Sequence, residues 1–163
     1  MRQLDARDVP AAARLLDETL AATPYVERAR EILHAAMTTD AEWQLAVAVE
    51  TPFASGALAA LAAFGPVHGA QAVWRLGYLV FAGSAAGHDV ARQIITHVVQ
   101  TTLQAGARML VAEWPADEAI GFALSSLRAN GFRQDARIPD FYRDGVAQLF
   151  LRRDLNSDPV HRE

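Results

Sequence analysis

The spacing of hydrophobic residues divides the chain into segments of helical and of strand periodicity. Apolar residues recur every three or four positions in four segments, which predicts four helices. The first helix begins at about residue 8 and is broken at residues 23–24. The second covers about residues 25–37, the third ends near residue 106, and the fourth runs from about residue 115 to 131. Alternating or continuous apolar runs predict six strands, at residues 43–49, 57–64, 73–81, 108–114, 132–138 and 147–155.

The order of these elements, α-α-β-β-β-α-β-α-β-β, predicts an α/β (α+β) fold in which a mixed sheet lies between two layers of helices. The strands at residues 73–81 and 108–114 flank one helix, so we expect them to be parallel through a right-handed crossover. The first two strands read as an antiparallel hairpin. We expect a single domain over residues 1–155, followed by a polar tail at residues 156–163.

Composition narrows the chemistry that the chain can perform. The chain has 163 residues, of which 52% are hydrophobic and 21% are charged, so it can bury a core. Cysteine is absent, which excludes disulfides, thiolate catalysis and cysteine-ligated metals. Lysine is absent as well, which excludes Schiff-base chemistry and the lysine-containing phosphate-binding loop. The five histidines show no metal-ligand spacing, and we expect no metal.

Charge and hydropathy bear on partners and location. The net charge of −4 and the isoelectric point of about 5.7 give no basic footprint for nucleic acid. The longest apolar run, residues 57–64, is far shorter than the roughly 20 residues of a membrane-spanning helix. The first eight residues are charged and lack the apolar core of a signal peptide. These features predict a cytoplasmic protein that binds neither nucleic acid nor membranes.

Four short segments, in order along the chain, carry a resemblance to a known family. The first is residues 1–16, in which an arginine and an aspartate precede an amphipathic helix. Leu79-Val80-Phe81 precedes a loop of small residues and a helix, and Asn130-Gly131-Phe132 closes the last helix. Residues 137–146 read Arg-Ile-Pro-Asp-Phe-Tyr-Arg-Asp-Gly-Val. With the element order, these segments resemble the GNAT superfamily of acyl-CoA N-acyltransferases over about residues 1–155. The resemblance implies the GNAT three-layer mixed sheet, and its most specific piece is the segment 137–146, which is similar to the C-terminal hairpin of many members.

The resemblance also implies that acetyl-CoA is the acyl donor. The first amides of a helix have no partners inside that helix and attract an anion, and small residues let the backbone approach the ligand closely. The residues expected to hold coenzyme A through their backbone are Leu79, Val80 and Phe81 at the pantetheine arm, and Gly87, His88, Asp89, Val90, Ala91 and Arg92 at the pyrophosphate.

The chain departs from the family pattern in four places. Asp89 stands where the family has glycine, and Ala86 stands where it has arginine or glutamine. The Asp89 carboxylate could cap the helix, repel the pyrophosphate, or turn outward and leave the backbone amides free. An asparagine and a general-acid tyrosine that the family often carries in its last long helix align with Ile120 and Leu127.

Direct attack of an amine on the bound thioester is the expected route, because the chain has neither cysteine nor lysine to form a covalent intermediate. Tyr142, on the segment that borders the acceptor site in this superfamily, is the candidate acid for the leaving thiolate; the alternative is a structural tyrosine packed in a turn. Glu113 is the candidate base, because it ends a predicted parallel strand, where open α/β sheets place their ligands. We expect it to be partly buried; the alternative is an ordinary glutamate at a strand end.

These observations favour an N-acetyltransferase that transfers an acetyl group from acetyl-CoA to an amine of a small molecule or peptide. The alternative is a catalytically silent GNAT-like module that binds an acyl-CoA or another ligand, which the departures from the family pattern would explain. A purely structural interaction protein is least favoured, because that function would not explain the loop of small residues before a helix. A homodimer could form through sheet edges or helices, and the sequence does not decide it.

Overall fold

A computed structural model describes residues 1–38, 42–49, 57–83 and 87–155. The predicted turn at residues 51–56, part of the predicted small-residue loop (84–86) and the predicted polar tail (156–163) lie outside these residues. Two short 3-10 turns, Ala6–Asp8 and Glu118–Ile120, accompany the regular elements. The helices and strands are β1 (Arg2–Gln3), α1 (Val9–Leu20), α2 (Val26–Ala35), β2 (Gln44–Val49), β3 (Leu58–Pro66), β4 (Val73–Phe81), α3 (His88–Gln104), β5 (Met109–Pro115), α4 (Gly121–Ala129), β6 (Arg133–Arg143) and β7 (Val146–Asp154).

The seven strands form one sheet in the order β1-β2-β3-β4-β5-β7-β6. The pair β4–β5 is parallel and the other five neighbouring pairs are antiparallel. Buried residues form two clusters, one between the sheet and the helices α1 and α2, the other between the sheet and α3 and α4. The predicted three-layer mixed α/β sheet and the parallel pair of strands are therefore confirmed.

The strand β1 is the one strand in the described ranges that the periodicity did not predict. It pairs with β2, with Arg2 opposite Val47, and both of its residues are exposed. Two exposed residues carry no alternation that could be read from the sequence, and the strand exists because the free edge of β2 offers it hydrogen-bond partners.

A β-bulge at Gly77 interrupts the alternation of β4. The register with β3 moves from Leu76 opposite Phe64 to Tyr78 opposite Ala63, so that Gly77 is the extra residue. Leu76 and Leu79 therefore both face α3 and α4, whereas Tyr78 faces α1 and α2. An added Cβ at Gly77 would lie 2.5 Å from the Trp43 ring, so the close packing of that indole requires glycine here.

The bulge coincides with the end of the pairing between β4 and β5. The last parallel pair is Arg75 opposite Val111, and both strands continue beyond it without further pairing, β4 to Phe81 and β5 to Pro115. The Trp114 indole Nε1 donates a hydrogen bond of 3.0 Å to the carbonyl oxygen of Leu76, at the base of this gap. A side-chain hydrogen bond thus replaces the next backbone hydrogen bond between β4 and β5, and the two strands diverge toward their carboxyl ends.

The C-terminal hairpin extends further than the sequence predicted. β6 runs through Arg143 instead of ending near residue 138, and Asp144 and Gly145 connect it to β7. The Asp140 carboxylate accepts a hydrogen bond of 2.8 Å from the Gly145 amide, and the register shifts between Ile138 and Arg143. Because of this register shift, side chains at the end of β6 do not alternate strictly between the two faces of the sheet. Tyr142 lies in this part of the strand.

Candidate active site

A pocket of about 310 Å³ opens where β4 and β5 diverge, on the side of the sheet that α1 and α2 cover. Its position at the carboxyl end of two parallel strands is where open α/β sheets place ligands. The pocket is lined by Leu20, Pro24, Tyr25, Arg28, Ala29, Ile32, Gly77, Tyr78, Leu79, Val80, Glu113, Trp114, Pro115, Ile120 and Tyr142.

The three tyrosines of the chain all line this pocket, although they lie far apart in sequence. Tyr25 precedes α2 and Tyr142 lies near the end of β6; their rings meet edge to face with centroids 5.5 Å apart. Tyr78 is buried beside the bulge of β4, and its hydroxyl has no hydrogen-bond partner within the described residues. Burial raises the pKa of Tyr78, so this hydroxyl stays protonated.

Tyr142 and Glu113, the two predicted catalytic residues, are both part of the pocket wall. Tyr142 is 39% exposed. Its pKa is raised, first by burial and second by the nearby Glu113 carboxylate. The phenol therefore keeps its proton at neutral pH and can act as a donor. The structure brings the two residues together, while their catalytic roles stay predictions.

Glu113 faces the pocket because of its place in the alternation of β5. Leu110, Ala112 and Trp114 point into the core beneath α3 and α4, which directs Glu113 to the opposite side. Its carboxylate lies 3.5 Å from Nε2 of Gln148 on β7. The predicted partial burial is wrong: Glu113 is exposed, because the gap between β4 and β5 admits solvent to this end of the strand.

Asp117 ties together three segments at one end of the pocket, and sequence reasoning did not find this contact. Its Oδ2 accepts hydrogen bonds from the Tyr25 hydroxyl at 3.2 Å and from Arg143 Nη2 at 2.9 Å, and its Oδ1 accepts one from the Ala119 amide at 3.0 Å. The Ala119 amide, the guanidinium and the phenol together lower the pKa of Asp117. The sequence signalled only a helix start at this aspartate, since its partners lie on distant segments.

The ladder between β3 and β4 decides which backbone groups of β4 face the gap. The Ala82 amide donates to the Ala59 carbonyl at 2.9 Å, and hydrogen-bonded pairs alternate along an antiparallel ladder. Val80 therefore pairs toward β3, while the amides of Leu79 and Phe81 point toward the gap beside β5. The Val80 amide, which was predicted to contact pantetheine, is turned toward β3 by this ladder, and the predicted pantetheine contacts of Leu79 and Phe81 stay predictions.

The amino end of α3 differs from one of the predicted alternatives. Gly87, with extended backbone, is the N-cap residue, and the helix begins at His88. Asp89 is therefore inside the first turn and is not the cap. Its side chain is 86% exposed and lies 3.4 Å from Arg92 Nη2. Within the described residues, the carboxylate turns outward, and no side-chain acceptor occupies the amides of the first turn.

Aromatic contacts join the amino end of α3 to the far end of β4. The His88 ring lies 5.8 Å from the Phe122 ring of α4, and Phe122 meets Phe81 edge to face at 5.0 Å. Ala91 is buried against this core, whereas Arg92 is exposed. Through Phe122, the exposed His88 ring at the start of α3 is therefore linked to Phe81 at the end of β4, while the predicted pantetheine and pyrophosphate contacts stay predictions.

The two positions in the last helix region that depart from the family pattern have different surroundings. Ile120 lines the pocket, while Leu127 is fully buried in the core beneath α3 and α4. The Leu127 side chain carries no acidic proton, so it cannot serve as the general acid.

The described part of the chain offers neither a cluster of metal ligands nor a helix suited to a bilayer. Side chains of histidine, aspartate and glutamate nowhere gather in a group of three or more that could hold a metal ion in this part of the chain. Across the same ranges, each helix falls short of the length and apolar character that crossing a bilayer requires.

Comparison with known proteins shows a likeness in structure without one in sequence. No family model matches the chain, and no curated protein matches it by sequence. A structure assigned as a GNAT-family acetyltransferase from Desulfovibrio desulfuricans matches with a TM-score of 0.80 and 20% identity, over 94% of this chain and 97% of that one. The aminoglycoside 6'-N-acetyltransferase from Enterococcus faecium matches with a TM-score of 0.75 and 13% identity, over 99% and 98%.

A third structure bears on the donor. The protein yncA from Salmonella typhimurium, assigned as an acetyltransferase and solved with its cofactor acetyl-CoA, matches with a TM-score of 0.75 and 15% identity. The match covers 96% of this chain and 93% of that one. At identities of 13–20% these matches show a shared fold. The chain therefore has the fold of the GNAT superfamily of N-acetyltransferases.

Proposed function

We propose that the protein is an N-acetyltransferase that transfers an acetyl group from acetyl-CoA to an amine of a small molecule or peptide. One observation carries the proposal: the gap between β4 and β5 has backbone amides along one edge and opens into a pocket that contains a tyrosine and a glutamate. Leu79 and Phe81 supply the amides, and Tyr142 and Glu113 supply the titratable groups. The neighbour solved with acetyl-CoA supports the choice of donor.

The free edge of β4 suits the donor because a pantetheine arm carries amides that can pair with it as a neighbouring strand would. In this proposal the Leu79 amide donates to the thioester carbonyl and stabilises the negative charge that develops there. The amides of His88 and Asp89 begin α3, where a pyrophosphate gains from unpaired N–H groups and from the helix dipole. The Asp89 carboxylate turns outward and leaves these amides accessible, while its negative charge weakens the positive electrostatic potential that would attract the pyrophosphate.

The pocket residues divide the proton transfers between them. Glu113 accepts a proton from the acceptor ammonium, which frees the nitrogen lone pair to attack the thioester carbon. The new C–N bond forms as the C–S bond breaks, and Tyr142 gives its proton to the departing sulfur. The raised pKa of Tyr142, caused first by burial, keeps the phenol protonated until that step. The nitrogen releases its remaining extra proton to solvent, and the proton held by Glu113 returns through solvent to the Tyr142 phenolate. The products are the amide and the free thiol.

The first test measures donor binding by calorimetry and turnover by the release of free thiol. We expect acetyl-CoA to bind, and Tyr142→Phe to slow turnover at least about tenfold with the acetyl-CoA Kd unchanged. The unchanged Kd is the internal control for folding. Turnover equal to that of the unaltered protein would remove Tyr142 from the mechanism, and no heat with millimolar acetyl-CoA would reject the donor.

Asp89→Asn tests the assignment of the pyrophosphate site. An exposed carboxylate within several ångströms of a phosphate costs about 0.5–1 kcal/mol in water, so its removal should tighten acetyl-CoA binding about two- to fivefold at low salt. The gain should shrink as salt rises, because ions screen exposed charges. Binding that does not respond to this substitution at any ionic strength would place the phosphates elsewhere.

The second candidate is a GNAT-like module that binds an acyl-CoA without turnover. The buried Leu127 favours it, because the family often has its general-acid tyrosine at the position that aligns with this residue. The two candidates separate in one experiment: both bind acetyl-CoA, and only the transferase releases thiol when an amine is added.

A further inference from the structure

The charges around the pocket are few and mostly paired. Of the described residues that line it, two are charged, Arg28 and Glu113. Arg28 lies at the rim, largely exposed, with its Nη1 2.9 Å from the Glu31 carboxylate. Arg143, beside the pocket, is paired with Asp117. Glu113 therefore supplies the one carboxylate of the described lining, and its nearest polar contact is the weak one with Gln148.

The rest of the wall is apolar or aromatic. Leu20, Ala29 and Ile32 come from α1 and α2, and the Tyr25 and Tyr142 rings stand against each other on the open side. Such a wall gains free energy by covering a hydrocarbon and loses it by covering a charge that has no partner. One carboxylate can compensate one ammonium, and the described lining holds no second carboxylate for another.

The pocket is also small and tied at one end. Its volume of about 310 Å³ lies at the lower limit of the roughly 300–1,000 Å³ that is typical of small-molecule sites. The hydrogen bonds of Asp117 with Tyr25 and Arg143 join the segment before α2 to the loop after β5 and to the end of β6. These contacts fix one side of a pocket whose volume matches a short amine better than a folded polymer segment.

From this geometry we infer that the acceptor is a small primary monoamine carried on an apolar chain or ring. Its ammonium meets the Glu113 carboxylate, and its hydrocarbon part lies against Tyr25, Tyr142 and the apolar side chains of α2. This inference rests on the proposed acetyl transfer, and it adds a substrate class that separates apolar monoamines from polyamines and from lysine side chains of peptides.

The experiment compares matched amines at a saturating concentration of acetyl-CoA. In the series from ethylamine to hexylamine, kcat/KM should rise about fourfold for each methylene until the pocket is full. Pentylamine and 1,4-diaminobutane have the same number of heavy atoms and differ only in a terminal methyl against a terminal ammonium. We expect pentylamine to exceed the diamine in kcat/KM by roughly a hundredfold, because the second charge would be buried without a partner. Glu113→Gln should lower kcat/KM for pentylamine at least about tenfold and leave the acetyl-CoA Kd unchanged.

The outcomes separate this inference from the proposed function. Thiol release that is fastest with the diamine or with a lysine peptide would overturn the substrate class and leave the transferase intact. If acetyl-CoA neither binds nor reacts, the transferase proposal fails. Direct calorimetry of pentylamine against 1,4-diaminobutane then decides the preference of the pocket by itself: tighter binding of pentylamine supports the apolar class, and equal or weaker binding overturns it.

Discussion

Replacing Trp114 with phenylalanine tests whether an indole holds the base of the gap between β4 and β5. The Trp114 Nε1 donates to the Leu76 carbonyl at 3.0 Å, one residue beyond the last parallel pair formed by Arg75 and Val111. Both partners are buried, with 4% of Trp114 and 3% of Leu76 exposed. Phenylalanine keeps an aromatic ring in the core and removes the donor, so the Leu76 carbonyl would be left without its partner.

Two costs contribute to this substitution, and a matched variant separates them. A buried acceptor that loses its donor costs about 1–3 kcal/mol, and the smaller ring adds a loss of packing. Trp74 lies in the same buried cluster, 9% exposed, against Phe64 at a centroid distance of 6.2 Å. Its indole makes no side-chain hydrogen bond within the described residues. Trp74→Phe therefore carries a similar packing loss without the lost hydrogen bond, and the difference between the variants should be about 1–3 kcal/mol.

Urea unfolding of both variants measures that difference directly, and thermal unfolding gives a second measure. For a chain of this length, 1 kcal/mol corresponds to a shift in Tm of about 2–4 °C. Trp114→Phe should therefore melt about 2–12 °C below Trp74→Phe. It should also bind acetyl-CoA more weakly, because the spacing of the two strands is no longer held. Equal unfolding free energies for the two variants would refute the role of the indole as the last tie between the strands.

Three further substitutions test other parts of the argument. Gly77→Ala should lower the unfolding free energy by about 1–3 kcal/mol, because the new Cβ would lie 2.5 Å from the Trp43 ring. Gly121→Ala is the control, because Gly121 has a helical φ of −57° and open space around it. This control should change the unfolding free energy by less than about 1 kcal/mol. Equal stability of these two variants would contradict the tight packing at the bulge. Tyr78→Phe should raise the unfolding free energy by about 1 kcal/mol, because it removes a buried hydroxyl that has no partner in the described residues; a loss of stability would mean that this hydroxyl is paired. The pKa of Asp117 is lowered from 3.8, first by a backbone amide and then by its guanidinium and phenol partners. Its contribution to stability is therefore present above about pH 4 and is lost as pH falls through the lower pKa of the folded state. Asp117→Asn should reduce the acid dependence of the unfolding free energy, and an unchanged dependence on pH would show that the carboxylate is not coupled to folding.

Much of the candidate site could be placed from residue order and alternation. Glu113 was expected at the end of a parallel strand, and Tyr142 on the C-terminal hairpin, and both line the pocket. The edge of β4 was also expected, although alternation with β3 leaves only Leu79 and Phe81 facing the gap. Asp89 shows the limit of such reasoning, because a shift of two residues in the start of a helix turns a cap into an outward side chain.

The amino-acid sequence by itself determined the elements of this protein and their order. Side chains repeat every two residues in a strand and every 3.6 residues in a helix, and both periods come from the local backbone. The periods therefore predicted four helices and six of the seven strands in the described ranges, and the order of the elements predicted the parallel pair. The missed strand, β1, has two exposed residues and no period to read. Glycine, proline and asparagine likewise marked the connections between elements, because these residues favour turn conformations of the backbone at and next to their own positions.

Only the tertiary structure decided how distant residues meet. Tyr25 and Asp117 are 92 positions apart and share a hydrogen bond, and the Trp114 indole reaches the Leu76 carbonyl 38 positions away. The bulge at Gly77 depends on the register of β3, which no pattern within β4 contains. Contacts of this kind depend on the packing of the whole core, because each side chain settles against neighbours that other segments supply. The pocket therefore forms where separate helices and strands pack together, and the pattern of the sequence does not reveal that packing.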